Sequence, residues 1–333
     1  MAPILKPRQS LVKDRFPNYF GSMKTQAYHT PSSQTIRTIA WNATGSLIAV
    51  GATDKSLRVW NPEKPNARYS TDLKGHGAPI EKVAFNPVKE SELCSVSNDG
   101  VVKFWDVRNK TCINEVKGLG EAFTVVWAPD GESLIVGNKT DNIFILDPAS
   151  STPRASFQQP VQTNQISFSW DGSVIFITTG EGKVRVLTYP DFQPALTYDY
   201  DIPGATSNEF ALAGHTSSCL SVELSPVAKY LATGGSDSII SLWDTTDWLC
   251  QRTMTSMSGP VRSLSFTWDG MYLVGGSDEG TGVEVYYAET GEHVHTFKTA
   301  SSCPVVAWHP TRYFLAFTDA GTLRIVGLDA DRK

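Results

Sequence analysis

The sequence predicts an all-β chain folded as a seven-bladed β-propeller, its ring closed by an N-terminal strand that pairs with the last blade. Three observations carry that prediction. One unit of strand, turn, strand, tight turn and strand recurs seven times, over residues 41–60, 85–105, 127–146, 168–187, 224–243, 266–286 and 308–326. The unit ends are spaced by 45, 41, 41, 56, 43 and 40 residues, close to the ~40–45 that a four-stranded blade occupies. Within a unit the apolar period is two, and no stretch sustains the i, i+3, i+4, i+7 face of a helix.

Along the chain, residues 1–22 form a basic and aromatic extension. Over residues 1–24, Lys6, Arg8, Lys13, Arg15 and Lys24 are set against one acid, Asp14, among Leu5, Leu11, Val12, Phe16, Tyr19 and Phe20. Pro3, Pro7 and Pro17 oppose a long helix there. The segment reads either as a disordered terminus or as a docking peptide. In the second case Arg15, Phe16, Tyr19 and Phe20 engage a partner, rings as anchors and charges for steering. Weak contact with nucleic-acid phosphate is a third reading. Residues 23–328 hold the propeller and residues 329–333 a short tail. Only seven residues follow the final unit, so residues 23–29 are expected to complete the last blade and remove two open sheet edges. His29 then falls near the Gly-His position of the first unit.

Inside the units, Leu47-Ile48-Ala49-Val50, Leu134-Ile135-Val136 and Tyr230-Leu231-Ala232 are continuously apolar, as strands buried between neighbouring blades must be. Turns at Pro129-Asp130-Gly131, Asp171-Gly172 and Asp269-Gly270 place glycine where φ is positive. Ser56-Leu57-Arg58-Val59-Trp60 and Lys103-Phe104-Trp105-Asp106 follow tight hairpin turns. The step of 56 leaves about 14 extra residues within 190–210, an insertion expected between blades 4 and 5. Its run Tyr198, Asp199, Tyr200 and Asp201 is acidic and aromatic, a second candidate for partner docking against plain loop growth.

Two units carry a further set. Gly75-His76 precedes Trp105-Asp106, and Gly214-His215 precedes Trp243-Asp244 by nearly the same interval. On these residues the chain resembles the WD-repeat family, in which a His, a second-strand Ser or Thr, a turn Asp and a Trp form a hydrogen-bonded tetrad. The resemblance implies two structural tetrads: His76, Ser95, Asp99 and Trp105, then His215, Thr233, Asp237 and Trp243. The chemistry suits them, because a turn carboxylate only accepts bonds and a buried indole N–H needs an acceptor. The other units have lost parts of the set. Val50 stands where the first needs a hydroxyl, and Thr140 with Leu146, then Glu181 with Leu187, replace Asp and Trp in the third and fourth. The sixth is stretched through Gly280-Thr281-Gly282, and the seventh ends at Val326.

Composition narrows the function. A net charge of −5 lacks the broad positive field of an autonomous nucleic-acid binder. No signal-peptide pattern and no ~20-residue apolar run is present, so neither secretion nor membrane insertion is expected. Cys94, Cys112, Cys219, Cys250 and Cys303, without a CxxC, read as reduced thiols of cytosol or nucleus. Gly180-Glu181-Gly182-Lys183 is only a fragment of a phosphate loop and no helix follows it. His293 and His295 would share one strand face but have no third ligand at a suitable spacing. No catalytic residue, cofactor, metal or small-molecule substrate is expected.

Runs outside the generic repeat sharpen the resemblance. They are Ile36-Arg37-Thr38-Ile39-Ala40-Trp41-Asn42, Gly137-Asn138-Lys139, Val186-Leu187-Thr188-Tyr189-Pro190, Pro260-Val261-Arg262-Ser263-Leu264-Ser265-Phe266 and Val306-Ala307-Trp308-His309-Pro310. Over roughly residues 36–327 they look like the WD-repeat subunits of the THO/TREX assembly, with Asn61-Pro62-Glu63 similar to fungal versions. The resemblance implies a nuclear, non-enzymatic scaffold in the machine that couples transcription to mRNP assembly and mRNA export. Its partners would be the large helical THO/TREX subunits, with RNA reached through them. The turn Asp319-Ala320-Gly321, Thr140 and the insertion depart from that pattern. The alternative is a peptide-reading WD-repeat adaptor of a chromatin or ubiquitin-ligase complex, which predicts acidic and aromatic side chains at one mouth of the central channel.

Overall fold

The computed structural model describes residues 10–28, 35–64, 70–198 and 208–328. These residues form seven four-stranded antiparallel sheets, the blades of a propeller around a central channel. The first strand of each blade lines the channel: Ile36–Trp41, Ile80–Phe85, Ala122–Trp127, Thr163–Phe168, Cys219–Leu224, Val261–Phe266 and Val306–Trp308. Each packs on the next, and the last packs on the first. The continuously apolar runs are the second strands. Ile48–Ala52, Leu134–Asn138 and Tyr230–Gly235 are buried at every position, because each is covered on both faces. Outer strands such as Thr111–Val116 and Cys250–Met254 are mostly exposed. In six blades the register between first and second strand slips by a residue near its start, a β-bulge that re-aims side chains at the channel.

The ring closes as the sequence predicts. Gln26–Tyr28 is the outer strand of blade 7 and pairs antiparallel with Thr322–Val326, Gln26 opposite Ile325 and Tyr28 opposite Leu323. Tyr28 also turns its ring towards Trp60 of blade 1, 6.3 Å between centroids. His309 of blade 7 meets the Gly45 carbonyl of blade 1 at 3.1 Å. Gly45 has φ +73, and a Cβ there would lie 2.0 Å from the imidazole, so only glycine admits this contact. His29 lies outside the described residues, as does the tail at 329–333.

Of the N-terminal head, residues 10–22 are described, and they fold onto the ring. Lys13–Arg15 is a single 3-10 turn and Phe16–Gly21 a short α-helix, with Pro17 in the first turn where its missing N–H is not needed. Phe16 and Phe20 are buried in a cluster with Tyr272, Phe297, Trp308 and Tyr313 from blades 6 and 7. Tyr272 donates its hydroxyl to the Leu11 carbonyl at 2.6 Å, and the Leu11 N–H donates to the Tyr313 hydroxyl at 2.8 Å. Lys13 is ion-paired with Glu292. The expected anchors Phe16 and Phe20 are therefore spent on the chain's own body. Aromatic burial outweighs the ordering of a few residues when a complementary pocket lies within reach.

The insertion also moves. Leu212–Ala213 is the outer strand of blade 4, so the extra residues lie inside that blade, before its last strand, rather than between blades 4 and 5. Its stem is anchored. Phe192 stacks on Phe157 of blade 3 at 4.4 Å, and Arg185 grips both carboxylate oxygens of Glu209 at 2.7 Å while reaching Gln159 at 2.6 Å. Tyr198 packs edge-on against Phe210. Asp199, Tyr200 and Asp201 lie outside the described residues.

Candidate functional site

The two sets of tetrad residues differ in completeness. In blade 5, His215 Nδ1 meets the Asp237 oxygens at 3.1 and 3.3 Å, and its Nε2 meets Thr233 Oγ1 at 2.9 Å. The Trp243 indole N–H donates to the same hydroxyl at 3.1 Å. Gly214 makes room for that indole, since a Cβ would lie 2.3 Å from Cζ2. Burial alone would raise the Asp237 pKa, but bonds from the Thr216 N–H, His215 and the Ile239 N–H bring it below its usual value. In blade 2, His76 Nε2 meets Ser95 Oγ at 2.6 Å and the Trp105 N–H donates to that oxygen at 2.8 Å. Asp99 instead accepts the Ser97 hydroxyl at 2.5 Å, and His76 Nδ1 is buried without a partner among the described residues. The set implied for this blade is a triad.

Burial, with Lys103 nearby, pushes the His76 pKa down to about 4, so its imidazole is neutral at physiological pH. A hydroxyl bonded to an imidazole resembles a nucleophile with its base. Here Ser95 and Thr233 are 0% exposed, so no substrate reaches either oxygen. These are struts. In blade 1, where Val50 replaces the hydroxyl, the buried Trp60 indole N–H has no partner among the described residues.

The central channel holds a cavity of ≈ 640 Å³. Ala40, Ala84, Val126 and Ala307 make its wall small and apolar, and two charges enter it, Lys82 from blade 2 and Glu223 from blade 5. Burial pushes the Glu223 pKa up to about 7, with Lys82 offsetting part of the rise. Burial pushes the Lys82 pKa down. Trp41, Trp127, Trp170 and Trp308 also line the cavity. The peptide-reading alternative needs both acids and aromatics at a mouth. The aromatics are present, whereas one carboxylate lines the cavity among the described residues, and a lysine accompanies it. His293 and His295 are separated by a bulge: His293 meets Glu284 at 2.6 Å, while His295 packs near Phe16. Among the described residues no three His, Cys, Asp or Glu side chains are grouped to hold a metal.

Sequence reading missed the bonds between blades. Ser221 donates to the Val261 carbonyl at 2.9 Å, Ser263 to the Pro304 carbonyl at 2.8 Å and Gln165 to the Val222 carbonyl at 3.2 Å. Thr38 accepts the Val83 N–H at 3.3 Å. Trp41, Trp127 and Trp170 donate to Ala307, Ala84 and Ser225 of adjoining blades at 2.8–3.2 Å. A signal was available: Thr38, Gln165, Ser221 and Ser263 occupy one register of the first strand in four units. Lys82 holds that register in blade 2, which is why its charge reaches the channel.

The chain's similarities agree with this geometry. The family model "WD domain, G-beta repeat" matches residues 22–61, 67–106, 207–244 and 248–281. THO complex subunit 3 of Arabidopsis thaliana is 30% identical over 323 residues, covering 93% of this chain and 98% of that protein. WD repeat-containing protein AAC3 of Dictyostelium discoideum is 29% identical over 322 residues, covering 90% of this chain, which spans 64% of that longer protein. Among solved structures, the Cps50 (Swd1) β-propeller domain of Myceliophteria thermophila shares the fold, with a TM-score of 0.77 at 15% identity over 91% of this chain and 99% of that one. With seven four-stranded blades and an end-to-end relative at this identity, the chain belongs to the WD-repeat β-propeller family, in the group of THO complex subunit 3.

Proposed function

We propose that the protein is a non-catalytic scaffold subunit of a nuclear THO/TREX-type assembly, which joins transcription to mRNP assembly and mRNA export through protein–protein contacts. The observation that carries this reading is the 30% identity to THO complex subunit 3 along nearly the whole of both chains. The large helical subunits of such an assembly are the expected partners, docking on the rim and faces of the ring. RNA reaches the complex through those subunits, in keeping with a net charge of −5. The test is affinity purification of the tagged full chain from nuclear extract, alongside imaging of a fluorescent fusion. Co-purification of the helical THO subunits and a nuclear signal are expected. Recovery of none of them, or a fusion confined to the cytoplasm, refutes the proposal.

The tryptophans of the channel favour a second reading, capture of a Lys- or Arg-bearing tail directed at Glu223. Glu223→Lys should then abolish tail binding; unchanged capture removes this alternative.

A further inference from the structure

A second cavity, of ≈ 420 Å³, opens beside the channel in the cleft between blades 4 and 5. Trp170, Val174, Phe176, Leu196, Leu224 and Trp248 line it, so its wall is largely apolar. Trp170 belongs to both cavities and is 56% exposed. Its ring is nevertheless held in place, because the indole N–H donates to the Ser225 carbonyl at 2.8 Å. Trp248 backs the cleft, its ring 5.6 Å from that of Phe176. A fixed aromatic wall left open to water is the kind of surface that supplies most of the energy of an interface.

One carboxylate lies in the cleft, and two more stand beside its lining residues in the sequence. Asp171 lies in its lining, and bonds from the Ser169 and Ser173 hydroxyls hold its carboxyl pKa down at about 2. Asp244 and Asp247 flank the lining residues Thr245 and Trp248, and bonds from the Thr246 backbone and side chain keep the Asp244 pKa below its usual value. Lys229, next to the lining residue Ala228, is committed to Glu289 at 2.6 Å.

We propose that the cleft between blades 4 and 5 docks a short segment of another protein that carries an apolar anchor flanked by Lys or Arg. Charge complementarity selects this occupant. An aliphatic or aromatic side chain fills the space beside Trp170 and Trp248, and a flanking cation meets Asp171. An acidic segment or a nucleic-acid phosphate would face the Asp171 carboxylate, which hydroxyl and backbone bonds hold in place. The inference rests on the binding-platform reading above and adds a place on the ring and a partner chemistry.

The test titrates the full chain with a fluorescein-labelled amphipathic peptide of Leu and Lys, and with its Leu and Glu counterpart. Ala195→Arg sets a cation in the lining without removing a packed side chain, and Trp170→Ala removes the aromatic wall. Ser151→Arg places the same charge on an exposed turn of blade 3 as a control. The Leu/Lys peptide should saturate the wild type, weaken about tenfold with Ala195→Arg and Trp170→Ala, and be unaffected by Ser151→Arg. The Leu/Glu peptide should not bind. If Trp170→Ala does not fold, Ala195→Arg carries the test alone. Equal affinity in all variants overturns the proposal. So does an absence of binding to the wild type, as when the chain's own residues fill the cleft, and so does self-association that Ala195→Arg abolishes. Failure of wild-type protein to co-purify with helical THO subunits while the peptide result holds would sink the scaffold reading only.

Discussion

Single side chains decide how evenly the blades are braced. Asp237 is bonded to an imidazole and to two backbone N–H groups, whereas Asp99 serves its own turn. Asp237→Ala strands buried donors and should lower stability by about 1–3 kcal/mol, while Asp99→Ala should cost less than about 1 kcal/mol. Denaturant titration of both variants measures the gap, and equal losses would disprove it. Two other residues set opposing responses to pH. His76 takes a proton near 6.5 when unfolded and only near 4 when folded, so stability falls as pH drops through that window, by up to about 3 kcal/mol. Glu223 has its folded pKa raised from 4.5 to about 7; its contribution is full below 4.5 and is lost as pH climbs through 7. Glu223→Gln should therefore exceed wild-type stability at about pH 8 but not at about pH 5, and His76→Gln should flatten the acid-side loss. Urea midpoints across that range test both, and slopes of like sign would contradict the assignment.

Among the elements, the head is the one whose structure depends wholly on what it touches. Six residues are too few for an isolated helix, so Phe16–Gly21 exists because Phe16 and Phe20 are buried against blades 6 and 7. Phe16→Ala should cost about 3–5 kcal/mol of the stability measured by thermal melting. It should also speed tryptic cleavage at the exposed Arg15, because the head detaches before the ring unfolds. A variant as resistant as wild type would mean the head is held by other contacts.

At the level of the whole molecule, a propeller is stable because every sheet has two neighbours and no blade is left with an open face. Residues 26–28 supply the outer strand of blade 7, and the head covers the edge of blades 6 and 7. Removal of residues 1–28 should leave Thr322–Val326, still paired with Leu315–Asp319, with an open outer edge, and expose the Phe16 pocket. Light scattering should then show concentration-dependent aggregation at concentrations where the full chain is expected to stay monodisperse. A monodisperse truncated protein would show that closure by this strand is dispensable.

The blade count, the hairpin turns, the buried second strands and the closing strand were all legible in the sequence. Each depends on residues a few positions apart, through period-two patterning and turn chemistry, or on a count of strands along the chain. Whether Asp99 reaches His76, where Phe16 and Phe20 lie, which blade owns the insertion, and which polar side chains latch one blade to the next were decided only by the tertiary structure. Those outcomes join residues tens to hundreds of positions apart. Small rotations of a turn or a single bulge determine whether such groups meet, and no local pattern records them.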